Sequence, residues 1–72
     1  MINAAFIYVA PGQNPQEQKA VIPSDTLTLH VVGCSTYDQA ETAAKELVAN
    51  GCGAIELCAG FGNEGIARIK KA

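Results

Sequence analysis

Seventy-two residues, 49% of them hydrophobic and only 17% charged, describe one small domain with more apolar surface than its size can readily hide. A chain of this length buries only about 60% of the surface its unfolded form exposes, so self-association into a homodimer or higher oligomer, with sheets or sheet edges meeting, is expected. A net charge of −2 gives no basic nucleic-acid footprint. No apolar run reaches the ~20 residues of a membrane helix, and no charged-then-apolar leader opens the chain, so a cytoplasmic protein is expected.

Residues 4–10, Ala-Ala-Phe-Ile-Tyr-Val-Ala, form a short apolar run rich in aromatic and β-branched types and bounded by Pro11-Gly12. That is a buried strand, and its lack of alternation implies that both faces are covered. Residues 11–25 are less regular. Asn14-Pro15 suits a cap followed by proline, which predicts a helical turn over residues 15–20. Val21 and Ile22 are extended, because the residue before Pro23 is pushed out of the α region. Residues 26–33 then alternate as a strand with Leu27, Leu29 and Val31 on one firmly apolar face and Thr28, His30 and Val32 on the other.

The spacing predicts a helix over residues 37–49. Thr36 stands three residues before Gln39, as in a capping box, and Asp38 adds negative charge to the first turn. Tyr37, Ala40, Ala44, Leu47 and Val48 form the apolar stripe, Glu41 and Lys45 an outward i,i+4 pair, and Asn50-Gly51 the stop. Residues 53–59 are the next strand, with Ile55 and Leu57 on one face and Glu56 and Cys58 on the other. Strand, helix, strand implies a parallel pairing of the second and third strands through a right-handed crossover. A last helix runs from about residue 63 to 71, with Ile66 and Ile69 as its contacts. Arg68, Lys70 and Lys71 complement its C-terminal dipole.

Gly60, Gly62 and Gly65 stand at G-x-G-x-x-G spacing between a strand and a helix. No acidic residue follows about 20 positions on and no further strand follows, so a dinucleotide cofactor is not expected. Two readings of the turn stand. In one, Gly60, Phe61, Gly62, Asn63, Glu64 and Gly65 bind a small anion, since free amides at a helix N-terminus attract negative charge. In the other, the glycines make a tight turn and Asn63 caps the helix. Glu56 lies inside an apolar run, where an unpaired carboxylate is costly. His30, Glu56 and Cys58 could share a face, giving candidate catalytic groups or a structural pair; Tyr8 and Phe61 are pocket walls or core. Cys34, Cys52 and Cys58 lack the spacing of a disulfide framework, and no metal site is assigned.

The segments Ala-Phe-Ile-Tyr-Val-Ala-Pro-Gly, Val-Val-Gly and Ile-Glu-Leu-Cys-Ala-Gly-Phe-Gly-Asn-Glu-Gly resemble those of a small family of short bacterial and archaeal proteins of unknown function. Members usually carry Gly where this chain has Ala59 and often His where it has Asn63, and they run on into another strand. The resemblance marks Glu56, Cys58 and the turn at residues 60–65 as characteristic and assigns them no role. The expected fold is a two-layer α/β sandwich: a three-stranded, mostly parallel sheet in β-β-α-β-α order with helices on one face, the first strand's direction left open. The function expected is binding of a small anionic metabolite at the turn, or alternatively a non-catalytic assembly module.

Overall fold

The computed structural model describes residues 2–71. The apolar run near the start becomes β1 (Ile2–Val9), which continues two residues further toward the N-terminus than the run itself. After a turn at residues 15–17 come β2 (Lys19–Pro23) and β3 (Leu27–Cys34), then α1 (Tyr37–Ala49) and β4 (Ala54–Leu57). A 3-10 turn (Ala59–Phe61) leads into α2 (Gly62–Lys71). The fold is mixed α/β as expected, with a sheet of four strands rather than three, in the order β2-β3-β1-β4.

The additional strand is the extended Val21-Ile22 segment. It pairs antiparallel with β3, Val21 opposite His30, and all five of its residues are exposed. Lys19 and Pro23 stand at its ends, residues that discourage further pairing at an edge. The helical turn expected over residues 15–20 is shorter than foreseen. The Asn14 carbonyl accepts from Glu17 and Gln18 at 2.9 and 2.7 Å, Asn14 Oδ1 accepts from the Gln16 amide, and the chain is already a strand at Lys19.

β1 occupies the centre and runs parallel to both β3 and β4. The second and third strands foreseen from the sequence are therefore parallel in direction but not neighbours: β1, apolar on both sides, lies between them. Register fixes the faces. Ala5 lies beside His30 and Ile55, and Ile7 beside Val32 and Leu57. These residues share the face that the helices cover, where the core of Ile7, Val32, Cys34, Ala40, Ala43, Ala44, Phe61 and Ile69 is buried.

α1 has the predicted bounds and stop. The Gln39 amide donates to Thr36 Oγ1 at 3.1 Å, and Gly51 takes φ +96 past the Asn50 cap. The capping box is shifted by one residue, since Gln39 Oε1 accepts from the amide of Ser35. Three alanines, 40, 43 and 44, form the buried stripe and let the helix seat close to the sheet, whereas Val48 is 59% exposed. Glu41 pairs with Arg68 of α2 instead of Lys45. Thr36→Ala is expected to cost about 1 kcal/mol by freeing a first-turn donor, read as a lower urea midpoint with unchanged m.

Candidate functional site

Three parallel strands end at the same edge of the sheet, and both helices begin there. The Ala10 amide donates to the Cys34 carbonyl at 2.9 Å, and the Cys58 amide donates to the Ile7 carbonyl at 3.1 Å. These two bonds join Pro11-Gly12, Ser35-Thr36 and the Cys58–Gly62 turn into one rim. A Cβ at Gly60 would stand 3.4 Å from the Val9 carbonyl oxygen, so the turn passes close to the end of β1. In open α/β sheets, ligands collect outside the carboxyl ends of the strands.

The turn itself divides into a buried half and an open half. The Phe61 side chain is 1% exposed, and its ring stacks on Tyr37 with centroids 5.9 Å apart. Tyr37 donates its hydroxyl proton to the Phe61 carbonyl at 2.7 Å, and the Arg68 guanidinium lies over the Tyr37 ring. Arg68 also pairs with Asp38 at 2.5 Å and with Glu41; these bonds, first that to Asp38, raise its pKa further. Gly65 is buried against Tyr37 and Phe61. The Phe61 and Gly65 side-chain positions are thus core, which for Phe61 is one of its two expected places.

Gly60, Gly62, Asn63 and Glu64 remain exposed. Gly62 has φ +65, a conformation glycine adopts without strain, and redirects the chain from the 3-10 turn into α2. Because α2 starts at Gly62, Asn63 sits within its first turn and is not its N-cap. Among the described residues no side chain caps α2, in contrast to the Thr36 cap on α1. Gly62, Asn63 and Glu64 thus present the start of α2 on the surface at the rim.

His30, Glu56 and Cys58 do not come together. Glu56 pairs in register with Phe6 and points to the face without helices, where it is exposed; His30 lies on the helix face, beyond β1. Two strand spacings, about 10 Å, and the thickness of the sheet separate them. Exposure also removes the desolvation cost that made Glu56 conspicuous. Cys58 follows the strand and packs against the buried cluster, away from the Glu56 face foreseen for it. Cys34 is fully buried and its thiol pKa is raised by desolvation, which keeps it protonated and unreactive at neutral pH. Among the described residues no group of three or more His, Cys, Asp and Glu side chains is placed to hold a metal ion. Tyr8 is not core: its ring lies across Gly33 on the open face, and its hydroxyl donates to Gln13 at 2.9 Å.

Two grooves open on the helix side of the sheet. One, of about 760 Å³, runs between β2, β3 and α1 past His30, Lys19 and Glu46; the other, of about 630 Å³, lies over Ile55 and Leu57 between the helices. Neither is lined by residues of the turn. The first is not legible in the sequence, because its walls are brought together from β2, β3 and α1 by the strand order. No helix among the described residues is long and apolar enough to cross a membrane.

These features define a small α/β protein built on a parallel β1/β3/β4 core, with a glycine-rich strand-to-helix turn at the carboxyl edge. The chain belongs to a family of unknown function, DUF6506, whose model matches residues 2–72. No curated protein and no solved structure matches it.

Proposed function

We propose that this protein binds a small anionic metabolite, carrying a carboxylate or a phosphate, at the carboxyl edge of its parallel strands. The observation that carries this reading is the uncapped first turn of α2, whose exposed Gly62, Asn63 and Glu64 lie at the rim where β1, β3 and β4 all end. Amides at a helix start carry partial positive charge, and the absence of side chains at Gly60 and Gly62 lets an anion approach the backbone closely. The Glu64 carboxylate in the same turn disfavours highly charged ligands, which points to a carboxylate or a monoester rather than a polyphosphate.

A crystal grown with inorganic phosphate or acetate tests the reading. An ordered anion on the amides of residues 62–64 is the expected result; a turn occupied only by water at saturating anion would contradict it. Catalysis is not assigned, since His30, Glu56 and Cys58 stand apart.

A further inference from the structure

The polarity of β3 is inverted for a protein that stands alone. Thr28, His30, Val32 and Cys34 face the helices, while its more apolar set, Leu27, Leu29 and Val31, faces away from them. Neighbouring strands continue that outer face in register. Ile2, Ala4 and Phe6 of β1 lie beside Leu27, Leu29 and Val31, and Ala20 and Ile22 of β2 lie beside Val31 and Leu29. Among the described residues no helix covers this face, and Ile2 is 61%, Ile22 56% and Leu27 36% exposed.

We infer that this open face is an interface, and that its occupant is a second copy of the same chain packed face to face. The extent of the face suits that partner. The eight-residue β1 and β3 make its centre about 26 Å long, and with the shorter β2 and β4 beside them it is about 19 Å wide. Covering it in two copies removes on the order of 1,000 Å² of surface, the threshold of a specific interface. The charge distribution suits it too. The one charged side chain that the described strands direct to this face is Glu56, on the outermost strand β4, so an apolar centre carries its charge at the rim. An apolar patch without a strong charge of either sign is complementary to itself, which an isologous two-fold contact requires. Packed sheets about 10 Å apart would interleave Phe6, Leu29 and Val31 with their counterparts. This inference does not depend on the anion reading, because the rim and the open face are different surfaces.

Sedimentation velocity of the full chain between about 5 and 200 µM tests it, with Ile22→Lys and Leu29→Lys as interface variants and Val48→Lys as a control on the helix side. The wild type and Val48→Lys should sediment at twice the 7.5 kDa chain mass. Ile22→Lys, at a site already exposed in the protomer, should stay folded by circular dichroism and weaken the dimer at least about 100-fold, and Leu29→Lys should do the same or more. A wild type that remains monomeric at 200 µM would overturn the inference. So would a dimer that a folded Ile22→Lys leaves intact, since association would then run through a free edge of β2 or β4.

Discussion

Phe61→Ala is expected to lower stability by about 3–5 kcal/mol, the usual cost of emptying a buried aromatic site. Phe61 is the largest fully buried side chain, and it joins both helices to the sheet. Its ring stacks on Tyr37 of α1 while its backbone closes the 3-10 turn that leads into α2, so the substitution leaves a void where the two helices meet. A chain of this length holds only about 4–11 kcal/mol in total, so the substitution removes a large share of it. Urea denaturation followed by circular dichroism measures this. A loss below about 1 kcal/mol would mean that the site collapses around the smaller side chain and that Phe61 does not hold the helices together.

Gly65→Ala is expected to destabilise although it improves helix propensity. In a helix interior, alanine is favoured over glycine by up to about 1 kcal/mol. Here the added methyl would stand 2.8 Å from Tyr37 Cε1 and 3.1 Å from Phe61 Cδ1. The Tyr37 ring has little freedom to move aside, because its hydroxyl is bonded to the Phe61 carbonyl and Arg68 covers its face. Overpacking of this kind costs about 1–3 kcal/mol, which outweighs the propensity gain and leaves a net loss on the order of 1 kcal/mol. Equilibrium unfolding of the variant gives the sign directly. A more stable Gly65→Ala protein would show that the Tyr37–Phe61 pair is loosely held.

The elements whose own residues carry the instructions were legible in the sequence. Thr36 and Gly51 set the helix start and stop locally, as the sequence implies, whereas the buried face is Ala40, Ala43 and Ala44 and leaves the expected Val48 exposed. The apolar run in β1 signalled a strand correctly but not its cover: both faces were expected to be buried, and the helices cover only the Ala5–Ile7 face, leaving Ile2, Ala4 and Phe6 on the open one. Pairing was less legible, because it depends on residues distant in sequence. Alternation shows that a strand has two faces but does not show which face of one strand aligns with which face of another. Placing β1 between β3 and β4 separated His30 from Glu56, and the helices covered the Thr28-His30-Val32 side of β3 rather than its leucines. β2 was foreseen as extended chain but not as a strand, since an exposed edge strand of five residues has little periodicity to display. At the turn, the glycine spacing marked a passage from strand to helix, and that passage is present. The spacing did not show that Gly65 is required by packing on Tyr37 while Gly60 and Gly62 remain open.

The anion reading is tested most directly by the backbone amides of the turn. Titrating the ¹⁵N-labelled protein with inorganic phosphate, and separately with acetate, at fixed pH and ionic strength follows each amide on its own. The expected result is saturable shifts concentrated at Gly60, Gly62, Asn63 and Glu64, with the Thr36-capped start of α1 unmoved. Shifts that are linear in anion concentration, or spread evenly over the chain, would contradict it.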